Sequence, residues 1–159
     1  MDRLRLKTTW FLAVVILLSS CSFFNEDDFE DPSPFLQYEA TASLEASPAD
    51  ELQVQVRVIN QHRSSDVVLA HSLCNVTVLL TPEDETIAPA SLAQTCADVM
   101  VTSTIGASGS KTFTFQMSRE DLRENGVQDG TYAVTATIRF AQLARQDLNA
   151  GTISLADQS

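Results

Sequence analysis

Three observations predict an all-β protein, an antiparallel Ig-like β-sandwich of seven or eight strands with one short helix. From Tyr38 onward apolar residues alternate with polar ones, the period of a strand with one buried face. Turn formers such as Ser47-Pro48, Gly106 to Gly109 and Asp129-Gly130 interrupt that alternation at short intervals. Helices long enough for βαβ crossovers are missing, which leaves antiparallel packing of two sheets.

Taken in order, Tyr38, Ala40, Ala42, Leu44 and Ala46 make a first, weak strand. Leu52, Val54, Val56 and Val58 make a much stronger one, with Gln53, Gln55 and Arg57 facing outward. Asn60 to Asp66 is a polar turn before the short apolar run Val67-Val68-Leu69. Cys74, Val76, Val78 and Leu80 line one face of the next strand, and Thr81-Pro82 ends it. The segment "PEDETIAPASLAQTCAD" reads as a loop. Val99 to Ile105 is a strand, and after the turn "GASGS" Phe113, Phe115 and Met117 mark another. In "SREDLRENG", Ser118 can cap a helix of one or two turns, Asp121 stands where a capping-box acid belongs, and Asn125-Gly126 stops it. Tyr132, Val134, Ala136, Ile138 and Phe140 share one strand face, and Ile153 with Leu155 offers a short last strand. Tyr132, just after a tight turn, is either a tyrosine corner or a plain core tyrosine.

The N-terminus has a different character. Arg3, Arg5 and Lys7 precede the nine mostly apolar residues Trp10 to Leu18. That length lies within the roughly 7–15 residues of a secretory h-region and below the roughly 20 that span a bilayer. The run closes with Leu18-Ser19-Ser20-Cys21, which resembles the lipobox of bacterial lipoproteins. The resemblance implies a lipoprotein signal peptide over residues 1–20, cleavage before Cys21, and a diacylglycerol thioether on its sulfur with a further acyl chain on the new amino group. Two or more chains hold a protein stably in a membrane. Ser22 is not the aspartate that resembles an inner-membrane retention signal, so the expected location is the outer membrane, facing the periplasm.

The chain carries 10 Lys+Arg against 21 Asp+Glu. Residues 1–20 hold three of those bases and one of those acids, so removing them leaves 7 against 20, a net charge of −13. Such a product lacks the basic stripe that nucleic acid requires, and nucleic acid is excluded as a partner. The remaining 139 residues (159 − 20) suffice for one domain and a tail. The tail is residues 21–37, an acidic disordered tether rich in carboxylates, with Pro32 and Pro34 and no apolar period; residues 38–159 form the sandwich. Asn25, Glu26, Asp27, Asp28, Glu30 and Asp31 are oxygen donors of the type calcium takes, but the glycine turn and spaced glutamate of an EF-hand are absent. A solvated spacer is the expected role.

Export leads out of the reducing cytosol. With Cys21 lipidated, Cys74 and Cys96 remain to form a disulfide. Zinc is the rival use, but these cysteines lack C-x-x-C spacing and His62 and His71 make a poor ligand set. No metal or cofactor is expected. Catalysis lacks a signature too: His62, Asp66, His71 and Ser72 lie close in sequence without a nucleophile elbow, and both histidines read as solvated. The chain is expected not to be an enzyme.

The order of parts is "VINQHRSSDVVL", then "CNVTVLL", a loop, "IGASGSKTFTFQM", a small insert and "GVQDGTYAVTATI". It resembles the intracellular proteinase inhibitor (BsuPI-like) family over about Leu52 to Phe140. In that family a strand ends in Asn, a Pro-Gly turn precedes an F-x-F-like strand, and a Pro-Gly-x-Tyr turn opens the closing strand. Here "IGASGS" and Asp129-Gly130 stand at the two turns, and no reactive-site residue carries over. The resemblance implies a sandwich that binds a protein partner, in its sharpest form a protease. The stretch Pro82 to Thr95 is the candidate partner-binding loop, through Pro82, Glu83, Asp84, Glu85 and Pro89 with bracing from the expected disulfide. Gln61 to Asp66 is a second candidate loop. The competing expectation is a structural or assembly lipoprotein of the envelope with no discrete site.

Overall fold

The structure is a computed structural model that describes residues 31–45 and 51–156. The expected signal peptide, Cys21, the tether up to Glu30, and Ala46 to Ala49 lie outside the described residues.

Among the described residues, nine strands and one α-helix make an all-β sandwich. The strands are β1 (Leu36–Glu45), β2 (Glu51–Asn60), β3 (Val67–Ser72), β4 (Val76–Pro82), β5 (Ala90–Ala93), β6 (Met100–Ile105), β7 (Ser110–Ser118), β8 (Gly130–Ile138) and β9 (Gln146–Leu155). The helix α1 spans Arg119–Glu124, between β7 and β8. One sheet has the order β1-β2-β7 and the other β5-β4-β8-β9, while β3 and β6 form a two-stranded ribbon. All pairings are antiparallel.

The alternation in β2 decides how the sheets meet. Leu52, Val54, Val56 and Val58 are fully buried, and each such side chain stabilises the fold by about 1.5–3 kcal/mol. They join Phe113, Phe115 and Met117 of β7 in one core with Val76, Val78 and Leu80 of β4 and Tyr132, Val134, Ala136 and Ile138 of β8. Helix α1 starts as its sequence requires: the Ser118 hydroxyl accepts from the Asp121 amide at 3.1 Å and donates to the Asp121 carboxylate at 2.7 Å. It stops at Gly126, whose φ of +79° is open to glycine, and its amide donates to the Arg123 carbonyl. Tyr132 is a tyrosine corner: its phenol donates to the Gln128 carbonyl at 2.9 Å and accepts from the Gln128 amide at 3.2 Å.

Three elements differ from the expectation, each for a physical reason. β1 begins at Leu36, two residues inside the expected tether, because Leu36 pairs opposite the β2 terminus Asn60. β5 lies in the segment expected as loop; its four residues carry one buried apolar side chain, Leu92, too little alternation to read. β9 runs from Gln146, not only through Ile153 and Leu155. Opposite Val134/Thr135 its register shifts by one residue, so Leu148 and Ala150 point inward on one parity and Ile153 and Leu155 on the other. The count is therefore nine strands where seven or eight were expected.

Candidate functional site

The residues of the expected partner-binding loop form the turn of a β4–β5 hairpin. Pro82 ends β4 opposite Tyr132, and the Glu83 amide donates to the Thr131 carbonyl at 2.9 Å. Asp84 organises the tip: its carboxylate accepts from the Thr86 hydroxyl at 2.7 Å and the Thr86 amide at 2.9 Å. Those bonds hold the Asp84 carboxyl below its ordinary pKa, the Thr86 hydroxyl contributing most. Glu85 and Pro89 are exposed beyond it.

Cys74 and Cys96 are joined, with Cα atoms 5.8 Å apart. The β4–β5 register pairs Thr77 with Ala93 and Val78 with Leu92; extended outward, it places Cys74 opposite Cys96. The bridge therefore ties the base of the hairpin, at the opposite end from the Asp84 tip. The side chain of Gln94, two residues before Cys96, donates to the Gln116 carbonyl of β7 at 2.8 Å and fastens this base to the other sheet.

At the disulfide end lies a cleft of about 560 Å³ lined by His71, Ser72, Cys74, Asn75, Met100 and Arg139 among others. The β3–β4 connection, the start of β6 and the segment after β8 converge on it. His71, read from the sequence as a solvated edge residue, is instead buried against Phe113 and Phe140, edge to face, with ring centroids 5.1 and 5.9 Å away. It follows Val67 and Leu69 on the inward parity of β3, and an imidazole satisfied at both nitrogens can be accommodated there. Its Nδ1 lies 2.7 Å from the Ser72 carbonyl, which can only accept, so Nδ1 carries a proton; Nε2 is hydrogen-bonded with the Ser103 hydroxyl at 2.7 Å. Ser103 is itself buried.

Asn75 is 7% exposed, and its side-chain nitrogen has no hydrogen-bond partner. Met100 lines the cleft, with Val99 beside it in sequence and Leu73 between the lining residues Ser72 and Cys74; these three are exposed to 58%, 47% and 53%. Neither Asn75 nor Arg139 is legible as a site residue in the sequence, since an asparagine before a strand and an arginine after one are ordinary. The cluster of "LC" at 73–74 and "VMV" at 99–101 was the available signal.

His62, expected as solvated, is half-buried: its ring meets Phe35 edge to face at 4.8 Å, and Nδ1 accepts from the Ser65 amide at 3.0 Å. No group of three His, Cys, Asp or Glu residues disposed to hold a metal occurs among the described residues. Nor, among them, is any helix long and apolar enough to cross a membrane.

No protein-family model and no curated protein matches the chain. Among solved structures it is similar to a Northeast Structural Genomics Consortium target at 11% identity, covering 79% of this chain and 89% of that one, with a TM-score of 0.35. It is similar also to the β-glucosidase of Kluyveromyces marxianus, at 14% identity over 76% of this chain, with a TM-score of 0.39. The β-glucosidase of Listeria innocua in complex with glucose matches at 14% identity over 73% of this chain, again with a TM-score of 0.39. The chain spans 15% and 16% of those two glucosidases.

Proposed function

We propose that this chain is a lipid-anchored lipoprotein of the bacterial envelope whose sandwich is a non-enzymatic protein-binding module, and that it binds at the disulfide end. The observation that carries the reading is three large, exposed apolar residues at the end braced by Cys74–Cys96: Met100 in the lining of the cleft, Val99 beside it in sequence, and Leu73 between the lining residues Ser72 and Cys74. Contiguous apolar surface rimmed by polar groups is unfavourable in water and is characteristic of association sites. The pre-ordered hairpin base lowers the entropy that association costs.

The test is a photo-crosslinking residue placed at Leu73, Val99 or Met100 in the full-length protein in cells, with Gln55 on the far sheet as control. The reading expects one discrete adduct from the three rim positions and none from Gln55, and loss of the adduct from the Val99 probe on Leu73→Glu. Uniform weak labelling at all four positions overturns it and favours a structural lipoprotein without a site.

Protease inhibition is the sharper form of the proposal. It has support from the Asp84-ordered hairpin tip, a preset exposed turn at Glu83 to Pro89. Its test is a panel of envelope and extracellular proteases assayed with the wild-type protein and with a variant in which Glu83 to Ala88 are shuffled.

A further inference from the structure

Among the described residues six strands lie at sheet or ribbon edges, and five of them are protected against further pairing. β1 carries Glu39 and runs beside β9. β9 is bulged at Ala150, with Gly151 at φ +98°. β5 has only four residues. β7 carries Lys111, and the Gln94 amide occupies its Gln116 carbonyl. On β3 the Gln142 side chain imitates a neighbouring strand: it accepts from the Ala70 amide at 3.1 Å and donates to the Val68 carbonyl at 2.7 Å. The Ala141 amide then donates to the Ala70 carbonyl at 2.8 Å.

The sixth is β6, and the bonds on β3 fix its orientation. Since the backbone groups of Val68 and Ala70 point away from β6, their partners Thr104 and Thr102 point their own amides and carbonyls away from β3, as does Met100 opposite Ser72. None of these three residues has another hydrogen-bond partner among the described residues. The stretch Val99 to Ile105 contains no charge, proline, glycine or bulge, and its residues are mostly of high strand propensity.

We propose that the open edge of β6 receives an extended segment of another protein as an added strand, pairing with Met100, Thr102 and Thr104. The charge of the chain selects the segment. Asp98 stands two residues before β6 and Asp66 next to Val67, whose register partner is Ile105 at the far end of β6; the chain as a whole carries −11. A segment with an uncharged, alternating centre and arginine or lysine at both ends matches that edge, whereas a second copy of this acidic chain brings like charge against it. The edge shares Met100 with the cleft, but Thr102 and Thr104 lie outside the cleft lining, and Leu73→Glu leaves the β6 backbone untouched.

The probe is a fluorescent, end-capped heptapeptide of alternating threonine and valine between two arginines, titrated into the full-length protein in detergent. Saturable binding is expected, with at least a tenfold loss for Thr102→Pro. That substitution removes an amide from the open edge and none from the β3 ladder, so the ribbon remains paired. The same peptide N-methylated at all five residues between the arginines presents no central donors on either edge and is expected not to bind, a comparison that stands even if Thr102→Pro fails to fold. Glutamates in place of the arginines should weaken binding at low salt. Absence of saturable binding overturns the proposal, as does binding that N-methylation leaves unchanged. A dimer in sedimentation that Thr102→Pro dissociates overturns the choice of partner, since the occupant is then a second copy.

Discussion

The Asn60 side chain reaches across 45 residues of sequence to donate to the Ile105 carbonyl at 3.2 Å, which joins the end of β2 to the end of β6. The same amide nitrogen donates to Ser65 at 2.8 Å and Gly106 at 3.2 Å, and the side-chain oxygen accepts from the His62 amide at 2.9 Å. Two loops, Gln61 to Asp66 and Gly106 to Gly109, thus hang on one fully buried residue. Asn60→Ala strips the His62 amide of its acceptor and removes one donor from each of those carbonyls, of which Gly106 keeps the Gly109 amide. A loss of about 3 kcal/mol is expected from urea unfolding, on the scale of 1–3 kcal/mol for a buried group left unsatisfied. A loss below about 0.5 kcal/mol would show that water replaces the amide.

Tyr132 makes its two bonds to the main chain of Gln128, one turn upstream of β8. Tyr132→Phe keeps the buried ring and removes only the hydroxyl. A cost of about 1 kcal/mol is expected, since the exposed Gln128 backbone can turn to water. Tyr132→Ala adds a cavity and should cost about 3–5 kcal/mol, the range for large aromatic deletions. Equal effects of the two variants would assign the role of this residue to its hydrogen bonds alone.

The sandwich was legible where one face of a strand is buried throughout. β2 and β8 alternate because a single core lies on one side of them, and so the sequence reads as the structure folds. The pattern failed where geometry broke the period: the bulge at Ala150 reverses the parity of β9, and β5 is too short to alternate. His71 failed for another reason. Its burial depends on the Ser103 hydroxyl and the Ser72 carbonyl, partners that only the β3–β6 register brings to it. The cleft is equally remote from the sequence, since its walls come from three separate segments. The open edge of β6 could not be read either, because whether a strand is an edge is decided by its neighbours.

Cys74 and Cys96, 22 residues apart, close the hairpin base, and a bridge over a loop of that length is worth about 3 kcal/mol in the chain-entropy model. Replacing both by alanine should lower stability by that amount. Far less change is expected at the Asp84 tip, which its own bonds to Thr86 hold. Hydrogen exchange resolves the two: amides around Thr77 and Ala93 should exchange faster in the double variant, and the Thr86 amide should not. Equal acceleration at both ends would mean that the bridge does govern the tip.

Asp147 lies directly across from Thr137 on β8, and its carboxylate accepts from Arg145 at 2.7 Å and from the Thr137 hydroxyl. The Arg145 bond first, and then the Thr137 bond, hold its pKa below the ordinary 3.8. A depressed carboxylate stabilises the folded state above the unfolded value and loses that contribution as pH falls through the folded one. Asp147→Asn should therefore melt below the wild type at pH 7, with the gap closing as the pH is taken from about 4 towards 2. A gap that is constant across this range would assign the effect to packing.

The proposed lipid anchor rests on Cys21 alone, the cysteine that ends the Leu18-Ser19-Ser20-Cys21 stretch. Metabolic labelling with palmitate should mark the wild-type protein and not Cys21→Ala, while Cys74→Ala and Cys96→Ala should keep the label, because those two sulfurs are used in the disulfide. Fractionation separates anchor from signal. If the chain is exported through residues 1–20 and held by lipid, Cys21→Ala should leave the membrane fraction, since a single cleaved or uncleaved h-region of nine residues is too short to span. The acidic surface offers no second hold on anionic lipid, so no intermediate partition is expected. Label retained by Cys21→Ala, or a variant that stays membrane-bound at high salt, removes the anchor and with it the envelope location.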